Sequence, residues 1–364
     1  MSSSPIPASN AYDRRGRPLV LRFTSFDVAE KAGVSQSTVS KALRDGEGVG
    51  AETRRRVLEA AAELDYRPDQ RAVSLRSGPT GRIAVVILGD PDARGAPVNS
   101  LSMDLLAHVV AAAADRHRAV LVSFQHDAGS FHASYGRDRI ADGIVVIGTA
   151  RNSAGWRHFA RARSQGENVV CWGSPDDALP TVRCDNHAGA ATAVRHLVAT
   201  GRRRIVFLGP GWRRQHSHRD RRSGYVSVMN EHDLPIIEAR EESASSRETQ
   251  GYGATLDLID DDVPFDAIFA ASDGLAVGAL QALGRCGRRI PEDVAVVGFD
   301  GIGSASFTVP PLSTMEQDVA LAGRHLVEAI LLMTAEDDRS LPIVPSTLMR
   351  RASSDGSCPK TSKI

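Results

Sequence analysis

Between residues 24 and 64 small and apolar residues recur at helical spacing in three short blocks. The first holds Phe26, Val28, Ala29 and Ala32; Thr24 and Ser25 can cap it, and Gly33 closes it as a helix C-terminus favours. Only Val34 intervenes before Ser35, which can cap a second helix through Leu43 with Val39, Ala42 and Leu43 turned inward. A third helix, about 51–64, places Val57, Ala60, Ala61 and Leu64 at i, i+3, i+4 and i+7, with Arg54, Arg55 and Arg56 beginning its outer side. The pattern predicts helix, tight turn, helix, and a third helix completing a minimal core.

From Gly81 onward the period changes. Apolar runs of strand length stand at 83–88, 119–124, 144–147, 169–172, 205–208, 267–270 and 294–299, most of them separated by helical stretches such as 105–114, 188–199 and 276–283. Continuous Val/Ile-rich runs alternating with helices predict parallel sheets covered on both faces, and some 270 residues of this texture exceed one sheet and imply two α/β lobes. The domain map is a disordered tail over 1–22, a helix-turn-helix domain over 23–68, a hinge helix or linker over 69–80, a two-lobed domain over 81–353, and a second disordered tail over 354–364. Asp69–Ser77 is helix-compatible but too short to stay helical alone, because isolated helices under ~12 residues are marginal in water.

Composition narrows the class without changing this picture. The 364 residues are 42% hydrophobic and 24% charged, so the chain has the makeup of a globular protein and not of a disordered or fibrous one. No apolar run reaches the roughly 18 residues of a membrane span, and residues 1–22 hold no signal-peptide core, so the expectation is a cytoplasmic protein without membrane contact. Cys171, Cys184, Cys286 and Cys358 lie far apart, which suggests neither a disulfide framework nor a zinc site. The formal net charge is zero, but residues 1–82 carry 14 Lys+Arg against 10 Asp+Glu, which suits a small module that meets an acidic polymer. Only Lys31, Lys41, Lys360 and Lys363 are lysines, so phosphate contacts would fall mostly to arginine.

The second helical block carries the candidate chemistry. Gln36 and Ser37 lie in its first turn and Lys41 about one turn later, which puts three polar side chains on one outward face. Gln pairs well with adenine and Lys with guanine O6/N7 in the major groove. The whole window Thr24–Leu43 (TSFDVAEKAGVSQSTVSKAL) closely resembles the DNA-binding headpiece of the LacI/GalR family of bacterial transcription regulators. Residues 49–57 and 62–68 (VGAETRRRV, AELDYRP) are similar to the family's third helix and its exit. The resemblance implies a DNA-facing set of Thr24, Ser35, Gln36, Ser37, Thr38, Ser40 and Lys41, joined by Arg71 and Leu75 from a hinge that folds on operator DNA. Leu75 occupies the position of the leucine that wedges into the minor groove; a linker anchor packing on the next lobe is the other reading of it.

Further matches follow in the family's order: Asp185–Leu197, Gly201–Leu208, Arg221–Tyr225, Ala271–Gly278, Ile290–Asp300 and Pro310–Thr314. They imply a two-lobed effector domain of the periplasmic-binding-protein type, in which Arg221 and Asp300 grip a small molecule with Ser272 and Asp273 nearby. Arg and Asp can read adjacent hydroxyls, and Trp172, Tyr225 or Phe299 can pack on a ring face, so a saccharide is the preferred effector, with a purine or another polar metabolite behind it. Asp300 follows an apolar run, at the carboxyl end of a strand where open α/β sheets bind ligands; a helix cap is the plainer reading of it, and a solvated charge the plainer reading of Arg221.

The expected function is therefore a homodimeric, effector-controlled regulator of operator DNA, most simply a repressor, with no enzymatic activity and no cofactor. The alternative is a sugar-binding α/β enzyme or binding protein with an accessory DNA-binding module. No G-x-S-x-G elbow, P-loop or H-E-x-x-H helix is present, and His216-x-His218 reads as part of a solvated loop and not as a metal site. Several positions depart from the family. Asp69 and Val73 stand where Asn and a basic residue are usual, Gly301 stands where a second acid often follows Asp300, and Gln125–Ile140 looks shorter than the family's helix-bearing connection.

Overall fold

The headpiece helices begin and end where side chains can satisfy their free backbone groups. In the computed structural model, helix α1 (Ser25–Ala32) starts at Thr24, whose hydroxyl accepts from Phe26 N while Asp27 accepts from Thr24 N at 2.6 Å, a reciprocal capping box. It ends at Gly33, in the left-handed region at φ 63°. Helix α2 (Gln36–Ala42) is capped by Ser35, which accepts from Thr38 N, and α3 (Ala51–Glu63) closes the module. Val28, Val39 and Val57 are fully buried where the three helices meet, each contributing roughly 1.5–3 kcal/mol of burial. Phe26, counted with the apolar positions of this helix, is 71% exposed: only the Val28, Ala29 and Ala32 side of α1 meets the other helices.

The structure describes residues 23–43, 49–64, 66, 78–89, 91, 99–148, 152–174, 178–209, 216–239, 246–333 and 340–355, and the chain separates into two units, Met1–Gly78 and Pro79–Ile364. Most of the hinge, including Arg71 and Leu75, lies outside the described residues.

The second unit alternates strands with helices. In chain order it contains β1 (Arg82–Leu88), α4 (Ser100–Asp115), β2 (Ala119–Gln125), β3 (Ile144–Gly148), α5 (Ser153–Ser164), β4 (Val169–Trp172), β5 (Thr181–Cys184), α6 (Asn186–Ala199), β6 (Ile205–Leu208), α7 (His216–Glu231), β7 (Ile237–Glu238), α8 (Arg247–Asp260), β8 (Ala267–Ala270), α9 (Asp273–Arg285), β9 (Ala295–Asp300), β10 (Ser313–Gln317), α10 (Val319–Leu332), β11 (Ile343–Val344) and β12 (Ser346–Met349). Two six-stranded sheets result, in the orders β11-β5-β4-β3-β1-β2 and β12-β10-β9-β8-β6-β7. The first is parallel throughout; the second is parallel except that β12 runs antiparallel to β10, which the sequence pattern did not foresee.

The chain passes between the two sheets three times: after β5, after β10, and between β11 and β12. Two passages open into helices capped by an aspartate, Asp185 for α6 and Asp318 for α10, whose carboxylates accept from Ala188 N and Leu321 N, both the third residue of the turn they cap. The backbones are laced together, with Asp185 N donating to Val344 O at 2.9 Å and Asp318 N to Pro345 O at 3.5 Å.

Two expectations are corrected here. His216 and His218 lie in helix α7 and not in a loop, and His218 is buried; no cluster of metal-binding residues occurs among the described residues. Order also extends past residue 353: Ser354 is buried and bonded to Ser313 and to the His196 ring. The connection from β2 to β3 contains turns and no helix, in line with its short sequence.

Candidate functional site

On α2 the buried residues Val39 and Ala42 define one side, and at 100° per residue Gln36, Ser37, Ser40 and Lys41 fall on the opposite arc. Lys41 and Ser37 are exposed, and Gln36 is half-buried with its amide donating to Ser25 Oγ at 3.2 Å. That bond ties the first turn of α2 to the first turn of α1. Thr24 and Ser35 spend their hydroxyls on caps, and Ser35 also bonds Ser37 and Thr38, each at 2.8 Å. Thr24 holds the Asp27 carboxyl below its ordinary value through a side-chain hydrogen bond. On α3, Arg55 is engaged by Glu52 and Glu59, so it is not a free phosphate contact.

The second candidate site lies at the carboxyl ends of strands in the second sheet. Arg221 projects from α7 and is almost fully buried, with its side chain 5% exposed against 15% for Asp300. Its Nη1 donates to Asp300 Oδ1 at 3.1 Å and to the Ala271 carbonyl, its Nε donates to Asn186 Oδ1 at 2.8 Å, and the guanidinium lies 3.7 Å from the centroid of the Phe299 ring. Asp300 Oδ1 also accepts from Gln317 Nε2 at 2.8 Å. Arg221 Nη2 and Asp300 Oδ2 are engaged in none of these bonds. Asp300 takes φ 126° and Gly301 φ 78°. A Cβ at Gly301 would come within 2.6 Å of the Glu316 backbone, which is the physical reason no second acid stands here.

Behind Asp300 sits Asp273, with no exposed surface. Its Oδ2 accepts from Gly301 N and Ile302 N at 2.8 and 2.9 Å, and its Oδ1 accepts from Thr314 Oγ1 at 2.6 Å. Burial, followed by the nearby Asp300 carboxylate, pushes Asp273 up to about 7. Burial likewise raises Asp300, opposed by the Arg221 guanidinium.

The structure thus brings Arg221 and Asp300 together and changes the roles of their expected neighbours. Asp273 cannot touch a ligand: it fixes the turn that carries Asp300, while Ser272 caps α9 by accepting from Leu275 N. Tyr225 and Phe299 are fully buried and unavailable as ring platforms; Tyr225 Oη bonds Ile205 and Ile237, and Phe299 lies beneath Arg221. Trp172 ends β4 in the other sheet, 9% exposed and without a hydrogen bond or ring contact to the pair. Asn186 and Gln317 were missed. Each is a side-chain amide beside the aspartate cap of a helix that follows a strand, and that placement is the signal that could have found them.

Both parts of the chain are similar to known proteins. Residues 26–69 match the lacI family of bacterial regulatory proteins, and residues 194–354 match a periplasmic binding protein-like domain. The HTH-type transcriptional regulator AscG of Escherichia coli (strain K12) is 28% identical over 327 residues, which are 88% of this chain and 94% of AscG. Among solved structures, the lac repressor dimer bound to operator and the anti-inducer ONPF superposes with a TM-score of 0.75 at 24% identity, covering 92% of this chain and 99% of that one. A transcriptional regulator CelR in complex with cellobiose superposes with a TM-score of 0.63 at 25% identity, covering 91% and 100%. No helix among the described residues is long and apolar enough to cross a membrane. The chain thus joins a lacI-family DNA-binding domain to a periplasmic binding protein-like domain, and its similarity to bacterial transcription regulators runs along most of its length.

Proposed function

We propose that the protein is a repressor whose operator affinity is set by a saccharide held at Arg221 and Asp300. The observation that carries this reading is the way the pair is tied down. Asn186, which holds Arg221, directly follows the first passage between the sheets, and Gln317, which holds Asp300, directly precedes the second. A ligand that re-pairs Arg221 Nη2 or Asp300 Oδ2 acts on groups bonded to both passages, so binding energy is coupled to the angle between the lobes. Two hydroxyls on adjacent sugar carbons match a guanidinium edge and a carboxylate oxygen, and Trp172 at the end of β4 remains the one ring of the three considered that is not fully buried. The CelR–cellobiose complex supports the ligand class. On the DNA side, Gln36, Ser37, Ser40 and Lys41 read base edges, Thr24, Ser35 and Thr38 hold the reading helix in place, and Arg71 and Leu75 complete the contact from the hinge.

A homodimer supplies two reading helices for a near-palindromic site. Strand β2 is a sheet edge that exposes Leu121, Val122 and Phe124, apolar surface of the kind a second copy covers. Phe124→Asp should shift the protein to monomer in sedimentation and lower operator affinity; an intact dimer would place the interface elsewhere. For the effector, thermal-shift screening of sugars followed by operator titration is the direct test. Asp300→Ala should abolish the response to any sugar that stabilises the wild type while retaining operator binding, and a fully responsive variant would refute the assignment.

A further inference from the structure

The helix-free connection from β2 to β3 leaves a cavity against α5 in the first lobe. Its volume is ≈ 290 Å³, and its walls include Phe131, His132, Ser134 and Arg137 from the connection and His158 and Arg161 from α5. No carboxylate lines it. The nearest acids are accounted for. Asp138 stands 4.0 Å from His132 Nε2, and buried Glu167 spends its two oxygens on Gly136 N and Arg137 N at 2.8 and 3.1 Å, which fixes the turn that presents Arg137. His158 Nε2 is buried without a hydrogen-bond partner, and its ring sits 5.5 Å from that of Phe131. Burial, with Arg161 and His132 adding to it, keeps this imidazole below its ordinary value. A concave surface with two guanidinium groups, two imidazoles and a hydroxyl has the donors for an anion and no carboxylate in its walls to repel one.

We infer that this cavity is a second ligand site, separate from the Arg221–Asp300 site, that takes a small phosphate ester with its phosphate between Arg137 and Arg161 and its organic part against Phe131. Two guanidinium groups carry two positive charges, which a single carboxylate neutralises only in part, whereas a phosphate offers three terminal oxygens and nearly two charges. The volume lies at the lower end of the ~300–1,000 Å³ of small-molecule pockets, which suits one small ester and excludes a nucleic acid or a polypeptide. The inference stands whether or not the saccharide reading does, because it uses none of the same residues.

Calorimetric titration of phenyl phosphate into the full-length protein tests it, at about 0.15 M chloride so that exposed charges are screened beyond ~8 Å. One saturable site is expected, weakened roughly tenfold or more in the doubly substituted Arg137→Gln, Arg161→Gln protein, since charge-assisted hydrogen bonds are each worth that much. Both side chains are exposed, so the double variant should fold and bind operator normally. Benzoate should bind at least about tenfold more weakly than phenyl phosphate, because it brings one charge and two oxygens where the phosphate brings nearly two charges and three. Asp300→Ala should leave phenyl phosphate binding intact. Absence of saturable binding, an unchanged affinity in the double variant, or loss of binding in Asp300→Ala would overturn the site, and benzoate binding as tightly as phenyl phosphate would overturn the ligand class.

Discussion

The outward face of α2 and the Arg221–Asp300 pair are both polar sites, built in opposite ways. One is a single turn and a half of helix, and its residues share a face because 36, 37, 40 and 41 must do so on any α-helix. The other gathers Asn186, Arg221, Ala271, Asp300 and Gln317 from five places along the chain and buries them. An exposed face can lose one side chain and keep its fold, because water replaces the missing contact. A buried, mutually bonded pair gives up several kcal/mol of stability instead, since the remaining charge is left without a partner in a poorly solvating environment. The headpiece face can therefore change specificity cheaply, whereas the lobe site is bound up with the stability of its own sheet.

Arg221→Ala gives the sharpest contrast. It strands the Asp300 carboxylate and leaves Asn186 and the Ala271 carbonyl without their donor, so a loss of about 3–5 kcal/mol in urea unfolding is expected. A loss under about 1 kcal/mol, the worth of an exposed pair, would erase the distinction between the two sites.

Asp273 offers a second contrast through pH. Its folded value is raised to about 7 from an ordinary 3.8, so between those values the folded state holds a proton that the unfolded state has released. Stability from this group is complete below the lower value and is lost as pH rises through the upper one. Asp273→Asn, which keeps the carboxyl's shape without its charge, should flatten the fall in Tm between mildly acidic and mildly alkaline buffer. Parallel Tm profiles for the two proteins would mean that the three donated hydrogen bonds outweigh burial and keep Asp273 ionised throughout.

How legible each site was follows from the same contrast. The α2 face could be read from spacing alone, as could the caps at Thr24, Ser35 and Gly33, because every interaction involved is local. The seven apolar runs read as strands are strands: six are buried parallel strands with no polar face to disguise them, and the exposed edge strand β2 carries an apolar run as well. The strands at 181–184, 313–317 and 346–349 were missed because they are short and carry Thr, Ser, Arg or Glu. Helix α7 was hidden by its opening run of His and Arg: the inward residues of its first half, His218 and Arg221, are polar, and the apolar stripe of Tyr225, Val228 and Met229 begins only after them. Arg221 and Asp300 came from resemblance, not from pattern. Their supports could not be read from the chain because the separations between Asn186, Arg221, Asp300 and Gln317 are fixed only by the sheet. Asp273 was misassigned for a related reason: an acid beside a helix start reads the same whether it faces ligand or backbone.

Lys41→Ala is the smallest expected change and the one that bears directly on the exposed site. Lys41 is exposed, stands in the last turn of α2 and takes part in no described ion pair, so its removal should leave unfolding free energy almost unchanged. If it meets a guanine edge, the variant should lose roughly 1–3 kcal/mol of discrimination at one operator base pair while its affinity for random duplex barely moves. If it meets only phosphate, affinity should fall evenly across sequences and the salt dependence should weaken by about one counterion. Selection from randomised duplexes at two salt concentrations separates these outcomes. The second would leave sequence reading to Gln36, Ser37 and Ser40, with the Gln36 amide aimed by its bond to Ser25 rather than assisted by the exposed lysine.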